Sequence, residues 1–192
     1  MKAPRAFQDE HDLSAMCDVL EQGHMADDGT YMTLNLDEII PSAQLQDGFM
    51  LRGCLGEEEV MERAEAQYRA FDSKATFEQY KGRFRNFMRS PVYQPESDIV
   101  AVAPDRQIGA FCIAWTNPVN KVRLFEPVGT HPDFQRRGLG RAVLLEGLHR
   151  LQEHGMQSAI VSVLEDNLAA IKLYESVGFQ VEKQLGTYEK DV

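Results

Sequence analysis

Apolar residues along this chain switch repeatedly between helical and strand spacing, and the switches divide it into elements. Leu13, Met16, Val19 and Leu20 fall on one side of a helix predicted over residues 9–23. Asp27, Asp28 and Gly29 read as a turn, and residues 31–36 alternate like a half-buried strand. Residues 41–48 look like a linker. A strand is predicted at 49–52, then an amphipathic helix over 57–71 through Val60, Met61, Ala64, Tyr68 and Phe71. Acidic residues crowd the first turn of that helix, where the helix dipole favours them. Thr76 and Gln79 have capping-box spacing at the head of the next helix, whose apolar side is Phe77, Tyr80, Phe84 and Phe87.

From Asp98 the pattern turns to strands, at 99–102 and 108–115, joined by a turn at 104–107. A second hairpin turn at 117–120 leads into a strand at 121–130. Val143, Leu144, Leu148 and Leu151 mark a helix that stops at Gly155. Residues 158–164 form a nearly continuous apolar run, as expected of a strand covered on both faces. Segments 179–181 and 186–188 are predicted to close the fold as a hairpin. Strand, helix and strand around Gly140 predict one right-handed parallel crossover in a mostly antiparallel sheet.

At 192 residues the chain suits one domain with an extension, and 43% hydrophobic with 26% charged residues describes an ordinary globular protein. No apolar run reaches membrane-spanning length, and the first residues lack the apolar stretch of a signal peptide. Cys17, Cys54 and Cys112 are odd in number and widely spaced, which fits reduced thiols in a cytoplasm. A net charge of −10 argues against general nucleic-acid binding and is compatible with a cationic acceptor. The histidines show no metal spacing, so no metal is expected.

The most specific stretch runs Gln135-Arg136-Arg137-Gly138-Leu139-Gly140-Arg141. It lies between a strand and a helix, where successive main-chain N–H groups lack partners and the dipole favours an anion. Glycines let the backbone turn and pass close to a ligand, and the three arginines suit phosphate oxygens. A pyrophosphate is the expected guest. No Lys-Ser/Thr pair follows the last glycine, and the three-glycine dinucleotide fingerprint is missing. Further on, Asn167-Leu168-Ala169-Ala170-Ile171-Lys172-Leu173-Tyr174-Glu175-Ser176-Val177-Gly178-Phe179 begins with a helix cap and ends at a glycine suited to a helix C-terminus.

Together the two segments resemble the GNAT superfamily of acyl-CoA-dependent N-acyltransferases. The first matches that family's pyrophosphate loop, Gln/Arg-x-x-Gly-x-Gly/Ala, and the second its Asn-x-x-Ala-x-x-Leu-Tyr-x-x-x-Gly-Phe signature. The resemblance covers 48–192 and implies an α/β (α+β) fold: a mixed, mostly antiparallel twisted sheet with one parallel pair, flanked by helices and splayed at the CoA site. Residues 1–47 fall outside it and look like the last strand and connector of a preceding GNAT domain, as in tandem members.

The resemblance implies acetyl-CoA as co-substrate and an amine acceptor, small molecule or peptide, with a homodimer left open. Val128, Gly129 and Thr130 are then expected to bind pantetheine through the main chain, like an added strand. Gln135, Arg136, Arg137, Gly138, Leu139, Gly140 and Arg141 are expected at the diphosphate, and Asn167 at the pantetheine amides or simply as a helix cap. Amine acylation needs a neutral amine, which for a lysine-like group is about 0.1% of the population near pH 7.4. Glu126, on the strand before the loop with the side-chain parity of Val128 and Thr130, is the candidate base or acceptor ligand; its alternative is a solvated strand glutamate. Tyr174 is the candidate donor to the departing sulfur, with packing against the sheet as its alternative. Tyr68, Phe71 and Tyr93 are candidate walls of an acceptor pocket, though a helix stripe is more often core. A catalytically silent CoA-binding module is the rival to an enzyme.

Overall fold

The computed structural model describes residues 29–117 and 122–185. Its strands are β1 (Gly29–Asn35), β2 (Met50–Gly53), β3 (Asp98–Val102), β4 (Ile108–Asn117), β5 (Val122–Thr130), β6 (Ser158–Leu164) and β7 (Gln180–Leu185). Its helices are α1 (Val60–Ala70), α2 (Phe77–Met88), α3 (Leu139–Glu153) and α4 (Leu168–Val177). The strands form one sheet in the order β2-β3-β4-β5-β6-β1-β7. Only β5 and β6 run parallel; the other neighbours are antiparallel. The helix predicted at 9–23 and strand residues 186–188 lie outside the described residues, as do Pro118, Val119 and Asn120 of the second hairpin turn.

Local signals set the helix ends. Thr76 accepts a hydrogen bond from the Gln79 amide, and the Gln79 side chain accepts from the Thr76 amide, completing the capping box. Gly155 and Gly178 take left-handed φ values of 68° and 109° just past α3 and α4. One helix start differs from expectation. The acidic run 57–59 belongs to a 3-10 turn, Gly56–Glu59, and α1 proper begins at Val60.

Alternation sorts the strands onto two cores. One face packs Ile99, Ala101, Ala110, Cys112, Phe125, Val161 and Met32 against α3 and α4. The other packs Val100, Phe111 and Ile113 against α1 and α2. β6 is not covered on both faces as its apolar run suggested. Ala159, Val161 and Val163 are buried, while Ser162 and Leu164 are exposed, so the strand is half-buried. Of the predicted closing hairpin, the first arm belongs to a longer strand, 180–185, which pairs with β1.

β1 therefore stands inside the sheet, antiparallel to β6 on one side and β7 on the other. The chain from β1 to β2 then crosses the outside of α3. Gln152 Nε2 donates to the Leu36 and Glu38 carbonyls at 2.7 and 2.9 Å, His149 Nε2 lies 3.1 Å from the Pro41 carbonyl oxygen, and Ile40 is buried. Two structural facts bear on the site. The parallel pairing covers only Val122–Leu124 against Ser158–Ile160, after which β5 and β6 part. Opposite Ile113, β5 carries Glu126 and Pro127, a β-bulge.

Candidate active site

The site forms where β5 leaves β6. From Phe125 to Thr130, β5 has no partner on the β6 side among the described residues, while Cys112, Phe111 and Ala110 of β4 face Val128, Gly129 and Thr130. A strand with one free edge offers its N–H and C=O groups to an extended ligand. After Thr130, a 3-10 turn over Pro132–Phe134 leads into the glycine loop.

The loop holds its amides open. Gln135 N donates to Pro132 O, and the next main-chain donor is Ala142, bonded to Gly138 O at 3.0 Å. Among the described residues the amides from Arg136 to Arg141 have no main-chain acceptor. Arg136 and Gly138 have left-handed φ values of 62° and 76°, the alternation that makes a concave amide nest for an anion. The two glycines work differently. Around Gly138 an added Cβ would meet nothing within 4 Å, so its role is conformational. At Gly140 a Cβ would lie 2.9 Å from Thr130 Oγ1, so its role is close packing of α3 on β5. Leu139 is buried between them.

The arginines separate. Arg141 Nε donates to the Ser176 carbonyl at 3.3 Å, and Arg137 Nη2 donates to the Asp133 carbonyl while its guanidinium lies over Phe134. Gln135 and Arg136 are exposed at the loop's outer edge. Asn167 caps α4 by accepting from the Ala170 amide at 3.1 Å, and it remains exposed.

Glu126 and Tyr174 are linked electrostatically across this part of the sheet. Tyr174 is buried, its ring edge-on to Phe179 at 5.9 Å. Burial first, then the charge of Glu126, then Cys112, push its phenol well above the usual value. Glu126 is half-buried, and burial raises its carboxyl pKa. Its parity differs from the sequence reading. Phe125 and Val128 pack on the same face although three residues apart, because the bulge inserts one residue between them. Glu126 is thereby out of step with Val128 and Thr130. Its main-chain carbonyl accepts from Trp115 Nε1. Pro127 was the signal in the sequence, since proline within a paired strand marks an edge or a bulge.

Cys112 lies near the pair but is held as a thiol. It is fully buried, donates to the Val143 carbonyl at 3.3 Å, and burial pushes its pKa up. The predicted acceptor wall needs correction in part. Tyr93 is buried with its hydroxyl donating to Asp98, and Tyr68 packs on Phe77 and Tyr80, so both belong to the core. Phe71 is half-exposed and stands edge-on to Phe111. His131 is buried, its Nδ1 accepting from the Asp133 amide, a structural cap. Among the described residues no group of three or more His, Cys, Asp or Glu is placed to hold a metal, and no helix is long and apolar enough to cross a membrane.

Residues 58–179 match the model of the acetyltransferase (GNAT) family. A mycothiol acetyltransferase of Thermobifida fusca is 36% identical over 106 residues, which is 48% of this chain and 31% of that protein. A [ribosomal protein bS18]-alanine N-acetyltransferase of Salmonella typhimurium is 40% identical over 75 residues, 39% of this chain and 49% of that protein. The chain thus spans less than half the length of either relative. A tandem GNAT protein from the clavulanic acid biosynthesis pathway superposes with a TM-score of 0.65 at 17% identity, over 95% of this chain and 59% of that one. At that identity the likeness concerns the fold.

Proposed function

Because this chain belongs to the GNAT acetyltransferase family, whose members are acyl-CoA-dependent, we propose that it moves the acetyl group of acetyl-CoA onto a primary amine by direct attack in a ternary complex. The observation that carries this reading is the open run of amides from Arg136 to Arg141, beside the free edge of β5. A diphosphate fits that nest and an extended pantetheine fits that edge. Acetyl-CoA supplies an activated thioester carbonyl; everything else falls to the chain.

In this reading Glu126, directly or through a water, takes the proton that the acceptor amine must lose. A carboxyl whose pKa is raised by burial is a better base near neutrality than an ordinary one. Tyr174 stays protonated and so serves as a hydrogen-bond donor toward the departing sulfur. Complete proton transfer from an ordinary phenol to a thiolate is already uphill by about 2 kcal/mol. The raised phenol makes it more so, which favours hydrogen bonding over outright protonation. Neither Cys112 nor Cys54, whose thiol burial pushes up to about 12, is suited to form a covalent acetyl intermediate.

Mycothiol and a ribosomal-protein alanine, named for the two relatives, make a small molecule and a peptide the acceptor classes to test first. Unpaired, buried Cys54 and Cys112 support a reducing, cytoplasmic setting. Residues 1–47 are taken as a remnant of a preceding GNAT domain; β1's place in the sheet and the breadth of the match to the tandem protein support this. The test is release of free thiol from acetyl-CoA over a panel of amines, beside a thermal shift with CoA. Thiol release above the amine-free rate is expected. Stabilisation by CoA with no turnover on any amine would instead favour the silent module.

A further inference from the structure

Gly129 has no room for a side chain, and the obstacle is a single ring. A Cβ built there would lie 2.4 Å from Phe111 Cζ and 3.0 Å from both Cε atoms. Phe111 is fully buried directly across the β4–β5 ladder from Gly129. Its ring cannot retreat. The guanidinium of Arg63 lies over its face at 4.0 Å, and Phe71 stands edge-on at 6.1 Å.

Arg63 is itself clamped. It is fully buried in α1, with Nε donating to both Asp98 carboxylate oxygens at 2.9 Å and Nη1 to Gln67 Oε1 at 3.1 Å. Tyr93 donates to Asp98 at 2.9 Å from the other side. Burial opposes the arginine's charge, but the Asp98 carboxylate overcomes it and holds the guanidinium above its usual pKa. A line of rigid contacts therefore runs from β3 through α1 to the one stretch of β5 that lacks a neighbour on its β6 side.

We propose that Arg63 is a positioning residue for the co-substrate: through the Phe111 ring it fixes the main chain at Gly129, where the free edge of β5 meets pantetheine. This rests on the reading of Val128, Gly129 and Thr130 as the pantetheine edge. A guanidinium suits the task because its flat face covers a ring while its edge holds a carboxylate. Lysine would keep the charge and lose the flat face.

The test is calorimetric titration of CoA into the full chain, beside thermal melts, for Arg63→Lys, Phe111→Leu, Gly129→Ala and the Gly129→Ala/Phe111→Leu pair. Arg63→Lys should weaken CoA by about 5-fold, the size of a lost cation–π contact and its knock-on. Gly129→Ala should weaken it by about 10-fold or more, and adding Phe111→Leu should restore most of that loss because the obstructing ring is gone. A purely structural role would lower the melting temperature and leave CoA affinity, measured well below it, unchanged. That result for Arg63→Lys overturns the proposal, and so do additive losses in the Gly129/Phe111 pair, which leaves the ion pair intact. Gly138→Val separates the two readings. If it abolishes CoA binding while these variants bind normally, the diphosphate seat stands and the positioning role falls; if the unaltered chain does not bind CoA, both fall.

Discussion

The Glu126 carboxylate acts on the Tyr174 phenol: after burial, its charge is the largest influence raising that phenol's pKa. In the proposed roles of base and donor, the two have opposed protonation states, carboxylate and phenol, over a common pH range. The burial that raises Glu126 sets the lower edge of that range. Rate should rise with pH as Glu126 ionises, at a midpoint above the ordinary carboxylate value near 4.3. Glu126→Gln should remove that limb from the kcat/KM profile and lower kcat by about 10²-fold or more. An unchanged profile would take Glu126 out of the reaction. The sign for stability is the opposite. A raised carboxyl favours the folded state below the unfolded pKa, and that contribution is lost as pH rises through the native value.

Tyr174→Phe keeps the packing against Phe179 and removes only the hydroxyl. A hydrogen bond to a developing thiolate is worth about 1.5–3 kcal/mol, so turnover should fall about 10- to 100-fold. The KM for acetyl-CoA should hardly move, since the bond strengthens only as charge develops. Steady-state kinetics at saturating acceptor measure both, and full turnover would return Tyr174 to a packing role alone.

What could be read from the sequence was local in origin. Asn167 and Gly178 bound α4 because caps depend on a few neighbouring residues, and the Thr76–Gln79 box sits at the head of α2 for the same reason. The glycine loop was legible because left-handed backbone and open amides need glycine and a helix start. Pro127 signalled an edge or a bulge, but the parity of Glu126 was not legible, because which residues the bulge displaces is set only against Ile113 on the neighbouring strand. Nothing in the sequence singles out Arg63; its burial depends on Asp98, 35 residues away, and on the Phe111 face. Tyr93 read as a pocket wall because an aromatic beside a helix stripe carries no sign of the carboxylate it will meet. The position of β1 between β6 and β7 is likewise a long-range pairing that no local period encodes.

Gly138 and Gly140 should separate under substitution. Valine at 138 meets open space but must adopt a left-handed φ, at a cost of about 1–2 kcal/mol. It distorts the amide nest, so CoA binding should vanish by calorimetry while the fold survives by circular dichroism. Valine at 140 collides with Thr130 Oγ1 and Leu173, forcing α3 away from β5. Overpacking of that kind costs about 1–3 kcal/mol and should lower both binding and the melting temperature. Equal losses of stability in the two variants would contradict the division of labour.

Asp98→Asn should be the most destabilising single change of the buried network. It preserves shape but leaves the fully buried Arg63 charge without its carboxylate. Breaking such a pair costs about 3–5 kcal/mol, or about 6–20 °C in melting temperature for a chain of this size. Screening should not rescue the loss, because counter-ions do not reach a buried site. Replacing both partners, as in Arg63→Met/Asp98→Leu, removes the stranded charge and should be milder than Asp98→Asn alone. Thermal melts of the two variants at low and high salt check the order. A double variant less stable than Asp98→Asn would mean that packing on Phe111 and Phe84, more than charge pairing, is what Arg63 supplies to the core.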